Sequence, residues 1–292
     1  MEFRELRFSS ADGLTLYARD YGPERGGPVP LLCLPGLTRN AKDFGTIAPR
    51  LAVSRRILCP DFRGRGRSQY AADPTTYRPE VELADTIALL DRLGVGRAAV
   101  IGTSRGGIVA MAMAAKHPER LAGILFNDIG PRIEPDGLLR IRSYLGRTPA
   151  FKSWAEAIAG LRKIHAGFGT LTDAEWLAFA RRVFRDANGI PVADSDAALA
   201  VTFPTADDIA QGKVPELWSL FELTAGLPVT ILRGANSDLL SEATVAAMLA
   251  RHGSAEAVTV ANRGHVPFLD EPEAFAAIER WLAIVDRREN TQ

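Results

Sequence analysis

The sequence predicts an α/β fold in which a mostly parallel sheet of about eight strands is flanked by helices and carries an inserted helical lid. Three observations predict it. From Val29 onward, short apolar runs alternate with amphipathic stretches, the pattern of strands joined by crossover helices. Before that, two β-rich segments flank an Asp-Gly pair, which marks an antiparallel hairpin. Residues 131–226 then break the alternation with helical stretches rich in Trp, Phe and Leu.

Taken in order, "EFRELRF" and "LTLYARDYG" form the opening pair across "SSADG". "VPLLCL" is a continuous apolar run, as a strand buried on both faces requires, and "KDFGTIAPRLA" follows as a helix. "RRILCPDF", "RPEVELADTIALLDRLG" and "RAAVIGT" repeat strand, helix, strand, and "LAGILFND" is the sixth strand. No convincing strand is read between residues 131 and 226. "DGLLRIRSYLG", "SWAEAIAGLRKIHAGFG", "DAEWLAFARRVF" and "PELWSLFELTAG" read there as amphipathic helices. An insertion of this length far exceeds an ordinary connection, so residues 131–226 are expected to form a helical cap, with residues 1–130 and 227–292 as the core domain. Three of the four tryptophans fall in the cap, and Trp154 and Trp218 are candidates to line a pocket between cap and sheet. The alternation resumes with "PVTILRG", "SEATVAAMLARHG", "AEAVTVA" and a closing helix, "EPEAFAAIERWLAIVDRR".

A chain of 292 residues, 47% of them apolar, can bury one large core. Its 35 basic residues balance 35 acidic ones with no long run of either sign, which argues against nucleic acid or an anionic membrane as partner. A small-molecule substrate is expected, with the chain a monomer or homodimer. The charged start "MEFRELRFSSADG" lacks a signal-peptide core, so a cytoplasmic location is the default expectation. Cys33 and Cys59 lie inside strand-like runs and read as small buried hydrophobes. No structural zinc site and no cofactor is expected.

The chemistry is concentrated in "AVIGTSRGG", where a strand runs into Gly102-Thr103-Ser104-Arg105-Gly106 and a helix leaves it. Gly-x-Ser-x-Gly alone is a weak pattern, but a strand before it and a helix after it place the serine at the carboxyl edge of a parallel sheet, where open α/β sheets bind ligands. Glycines without Cβ let strand and helix approach closely enough to hold a sharp turn, and the helix start supplies backbone N–H groups for a developing anion. Ser104 is therefore the candidate nucleophile.

With "LPGLTRNAKDF", "DFRGRGRS", "GTSRGG", "RGANSDLLS" and "NRGHVPFLDEP", the chain resembles the α/β-hydrolase fold family over nearly its whole length, and specifically the lidded, esterase-like members. The resemblance implies a Ser–acid–His triad in that chain order. His265, in a glycine-flanked loop after the last strand, is the candidate base; His117 and His252 end helices, and His165 lies on a lid helix where it could touch substrate. Asp238, after "VTILRG", matches the family's usual acid position and is preferred to Asp128, which ends the sixth strand, where some members carry their acid; Asp128 is otherwise a candidate substrate contact. The backbone N–H groups of Leu37 and Arg105 are the implied oxyanion donors. Pro35 and Arg65 stand where many relatives have histidine. The Arg105 side chain is either a surface ion pair or a contact to a polar substrate group.

A serine nucleophile fits hydrolysis of a carboxylic ester or lactone through an acyl-enzyme and argues against relatives that use a carboxylate nucleophile. Two alternatives use the same triad: hydrolysis of carbon–carbon bonds in ring-cleavage products, whose members usually flank the serine with Asn and Met where this chain has Thr103 and Arg105, and cofactor-free perhydrolysis. A triad-retaining receptor for a small ligand is a third reading of a different class, separated from the enzymes by turnover of an aryl ester.

Overall fold

The computed structural model describes residues 2–291. Its eight-stranded sheet is built from β1 (Arg4–Ser9), β2 (Thr15–Tyr21), β3 (Leu31–Leu34), β4 (Ile57–Asp61), β5 (Ala98–Thr103), β6 (Leu121–Asn127), and, after a two-stranded excursion described below, β9 (Val229–Gly234) and β10 (Glu256–Val260). The order across the sheet is β1-β2-β4-β3-β5-β6-β9-β10. The β1–β2 hairpin is antiparallel, turning at Gly13 with φ +86°, and β2 runs antiparallel to β4; every other pairing is parallel.

Parallel strands buried on both faces need apolar residues at every position, and alternation sends them to two separate cores. Leu32, Leu34, Leu58 and Val100 face one core, with the helices Pro79–Arg92 and Arg105–Lys116 packed over them. Leu31, Cys33, Cys59 and Ile101 face the other, covered by the long helix Pro272–Glu289 through Ile278, Trp281 and Val285. Each fully buried Leu or Ile contributes about 1.5–3 kcal/mol. Both cysteines are free and buried. Among the described residues, no helix is long and apolar enough to cross a membrane.

The winding direction reverses between β4, on one side of β3, and β5, on the other. This switch point opens a crevice at the carboxyl ends of β3 and β5. The segment inserted between β6 and β9 covers that edge. It contains the helices Pro135–Tyr144, Trp154–Ile164, Asp173–Val183, Ala206–Ala210 and Trp218–Glu222.

It also holds a feature the helical reading excluded. β7 (Phe184–Ala187) and β8 (Ile190–Ala193) form an antiparallel hairpin around Asn188 and Gly189, with φ +54° and +87°. Both central residues lie in the left-handed region that a two-residue hairpin turn demands and that Asn-Gly supplies at low cost. The signal "DANGIP" was present, but the strands are only four residues each and interrupt an amphipathic background.

Candidate active site

β5 ends at Thr103 and the following helix begins at Arg105, so Ser104 alone makes the turn, with φ 50° and ψ −112°. A non-glycine residue held there costs roughly 1–3 kcal/mol, supplied by its surroundings. The surroundings are glycines: a Cβ on Gly102 would come within 2.6 Å of the Gly107 Cα, and one on Gly106 would strike the Leu34 carbonyl.

The parallel register fixes the next partner. Thr103 pairs with Asn127, and the Ser104 N–H donates to the Asn127 carbonyl at 3.1 Å, so the residues just beyond the two strands lie level. The residue beyond β6 is Asp128, at φ 55° and fully buried. Its Oδ1 accepts the Gly234 N–H at 2.7 Å, and its Oδ2 accepts the Ser237 hydroxyl at 2.6 Å. That same Oδ2 lies 2.8 Å from His265 Nδ1, and His265 Nε2 lies 2.9 Å from Ser104 Oγ. A carboxylate only accepts, so Nδ1 carries the proton and Nε2 is left to accept from the serine hydroxyl. Asn127 steadies the histidine loop by donating to the Pro267 carbonyl at 3.1 Å.

Ser104 and His265 thus meet as expected, but the carboxylate beside the imidazole is Asp128 rather than Asp238. After β9 the chain turns tightly, with the Ser237 N–H donating to the Gly234 carbonyl, and this brings the Ser237 hydroxyl, one residue early, to Asp128. Asp238 faces the inserted segment instead and accepts two hydrogen bonds from Arg140. Burial works to raise its pKa, yet the Arg140 hydrogen bonds and charge outweigh that and leave it below the usual carboxylate value. Asp128 is accordingly a partner of the histidine rather than a wall of the pocket.

Ser104, Leu37, Asn127 and His265 border one cavity of about 390 Å³ under the inserted segment. Its aromatic walls are Tyr144 and the phenylalanines 44, 151, 168, 179, 184 and 268. Neither Trp154 nor Trp218 lines it. Trp154 packs within the inserted segment beneath the guanidinium of Arg181, and Trp218 lies under Arg251 and donates to Glu216. Trp176, also absent from the wall, is buried in the inserted segment's own cluster. Trp154 and Trp176 thus pack inside the inserted segment, while Trp218 packs beside Phe221 against the main core. His165 does border the cavity, stacked 4.7 Å from Phe168, and burial followed by the charges of Arg140 and Arg39 pushes its pKa down to about 3.

The Leu37 N–H donates to no acceptor among the described residues, and the Arg105 N–H opens a helix, where no intrahelical acceptor exists. Their side-chain surroundings are joined. Arg65, fully buried, donates from Nε to the Leu37 carbonyl at 2.7 Å and pairs with Glu82 at 2.8 Å. Glu82, also fully buried, accepts from Arg105 Nε at 2.7 Å, and Arg105 Nη2 reaches the Tyr77 carbonyl. This settles the two readings of the Arg105 side chain: it is tied inward and contacts no substrate space. Asp61 holds the neighbouring loops by accepting the N–H groups of Ala41 and Arg67.

Residues 31–278 match the sequence profile of the Alpha/beta hydrolase family. The chain belongs to that family. A 3-hydroxybutyrate-oligomer hydrolase from Cupriavidus necator is 36% identical over 273 residues, spanning 91% of this chain and 92% of the relative. A 2-hydroxymuconate semialdehyde hydrolase from Pseudomonas sp. is 36% identical over 102 residues, 34% of this chain and 35% of the relative. Among solved structures, an alpha/beta hydrolase from Novosphingobium aromaticivorans aligns with a TM-score of 0.88 and 41% identity, covering 97% of this chain and 98% of the other. The eight-stranded sheet is thus that of the alpha/beta hydrolase family, and these relatives are hydrolases.

Proposed function

We propose that this hydrolase cleaves a carboxylic ester through an acyl-enzyme, with Ser104 as nucleophile, His265 as base and Asp128 as the acid that orients it. The observation that carries this reading is the unbroken hydrogen-bond chain from Ser104 Oγ through His265 to Asp128. As Ser104 Oγ attacks the carbonyl carbon, its proton passes to His265 Nε2, and the buried Asp128 carboxylate stabilises the imidazolium. The carbonyl oxygen, now negative, is received by the N–H groups of Leu37 and Arg105, which are held in place without reorganising. Collapse breaks the ester C–O bond, and Nε2 returns the proton to the departing alcohol. Water then repeats the sequence on the acyl-enzyme and releases the acid. Residues 131–226 act as the cap, closing a largely aromatic cavity over the reacting carbonyl and excluding bulk water. The extent of similarity to the Cupriavidus relative favours esters of short hydroxyacids over lactones or ring-cleavage diketones.

The test is hydrolysis of short-chain aryl esters by the purified protein, with mass spectrometry of the quenched reaction. An acyl adduct on Ser104, with turnover abolished by Ser104→Ala and by His265→Ala and no further loss in the double variant, is expected, because residues of one catalytic unit do not contribute independently. Cleavage of diketo acids with no ester turnover would replace this reading by carbon–carbon hydrolysis.

A further inference from the structure

The helix Asp173–Val183 ends with two adjacent arginines that go opposite ways. Arg181 is 57% exposed and sits 3.9 Å from Asp186, as a cation at a helix C-terminus commonly does. Arg182 turns inward and joins the wall of the cavity that holds Ser104 and His265. Its guanidinium carbon lies 4.7 Å from the ring centre of Phe268, three residues beyond His265, and 5.9 Å from that of Phe179.

Aromatic rings cover the faces of a guanidinium and leave its edge of N–H donors to find acceptors elsewhere. Arg182 has none: its Nε is sealed from solvent without a hydrogen-bond partner, and no ion pair engages its side chain among the described residues. Arg39, on the same cavity wall, shows the alternative. It stacks 4.9 Å from Phe179 and is paired through two nitrogens with Asp43, which uses up that carboxylate. Burial pulls the Arg182 pKa down, with Asp43 opposing and Arg39 adding to the effect, but an arginine stays charged. A cation short of acceptors therefore borders a cavity rich in phenylalanine, whose carboxylates are engaged elsewhere, Asp43 by Arg39, Asp194 by Lys42 and Asp196 by the Tyr77 hydroxyl, and an anionic group on the occupant is what completes it.

We propose that Arg182 is the anion subsite of this cavity, where its guanidinium edge takes the free carboxylate of a short hydroxyacid oligoester. The planar N–H fork matches a carboxylate, and a half-buried cation with Asp43 nearby suits a monoanion better than a phosphate dianion; Arg147, which also borders the cavity with no ion pair among the described residues, is exposed to solvent. The apolar walls fit the methylene and methyl groups between the carboxylate and the reacting ester. The proposal rests on the ester-hydrolase reading for which bond reacts, but the subsite itself does not need turnover to be detected.

The probes are the 3-hydroxybutyrate dimer as free acid and the same dimer with its terminal carboxyl capped as the primary amide. Arg182→Met keeps the packing on Phe268 and removes the charge; Arg182→Lys keeps the charge and loses the fork. With Arg182→Met, kcat/KM for the acid should fall about 10- to 100-fold, mainly through KM, while the amide stays within about twofold. Arg182→Lys should recover part of the loss. Calorimetric titration of the acid into Ser104→Ala and into Ser104→Ala with Arg182→Met provides the readout without hydrolysis. Binding weakened about tenfold or more by Arg182→Met supports the subsite even if the dimer is never cleaved, an outcome that would remove the hydroxyacid ester as the reacting bond and nothing else. Equal losses on acid and amide, equal binding with and without Arg182, or no binding of the acid to Ser104→Ala would overturn the proposal and leave Arg182 as an aromatic-stacked strut of the lid.

Discussion

Asp128→Asn changes one atom per carboxyl group and almost no volume, yet the structure leaves the new side chain no satisfactory orientation. Three donors converge on Asp128: the Gly234 N–H, the Ser237 hydroxyl and the His265 Nδ1–H. A carboxamide offers one oxygen. If that oxygen keeps Gly234, the amide NH2 faces His265 and drives the imidazole proton to Nε2, where the serine proton must go. If it turns to His265 instead, the NH2 opposes the buried Gly234 N–H, at about 1–3 kcal/mol for the unsatisfied donor. By the behaviour of triads whose acid is replaced by its amide, kcat should fall about 10⁴-fold, roughly 5.5 kcal/mol of barrier. Asp238→Asn loses only a pair with Arg140 whose side chains are 34% and 23% exposed, about 0–1 kcal/mol of stability, and activity should stay within about threefold. The assay is steady-state hydrolysis of a short-chain p-nitrophenyl ester by each variant, with circular dichroism to confirm the fold. The reasoning fails if Asp238→Asn loses three decades or more while Asp128→Asn keeps a tenth of wild-type activity.

Glu82→Gln strips the buried charge that pairs with the fully buried Arg65 and the partly buried Arg105 and should lower stability by about 3–5 kcal/mol, read as a drop in the urea midpoint; kcat should fall with it, since Arg65 holds the Leu37 carbonyl. His165 has its folded pKa at about 3, below the ordinary 6.5, so the unfolded chain binds more protons between those values and stability falls as pH drops through that window. Urea titrations should show up to about 2 kcal/mol lost between pH 7 and pH 5, and His165→Gln should flatten that limb by the same amount. Phe151→Ala opens the cavity wall beside Phe184, so the preferred acyl chain should lengthen in a series of ester substrates, whereas an unchanged chain-length profile would place the acyl group elsewhere.

The parallel sheet, its helices, the serine turn and the histidine loop were legible because each rests on local pattern: apolar runs, glycines that tolerate close approach, and a Gly-flanked loop after the last strand. The acid was not, because two aspartates stand at the ends of neighbouring strands and the choice between them depends on the tight turn after β9, which brings the Ser237 hydroxyl to Asp128 and leaves Asp238 to Arg140. A register argument would have favoured Asp128, since Ser104 and Asp128 each follow directly on paired strand ends. The cavity wall was misread for a related reason: helical periodicity shows that Trp154 and Trp218 are on apolar faces without saying which neighbour those faces meet. The Asn188-Gly189 hairpin was available from the turn residues alone, and Arg182 gave no signal, because its partner-poor burial exists only in the assembled lid.

With Asp128 at the end of β6 beside the imidazole, the loop after β9 is left free of the histidine and is used as a mooring. Asn236 donates to the Gly167 carbonyl at 3.0 Å and Asp238 grips Arg140, so two separate parts of the inserted segment are tied to the first and last of three consecutive residues. The middle one, Ser237, is bonded to Asp128. Lid position and imidazole orientation are therefore mechanically linked through a single hydroxyl. A lid displaced far enough to break both ties would slacken the support of the acid at the same moment as it admits water, so hydrolytic power would be confined to the moored state.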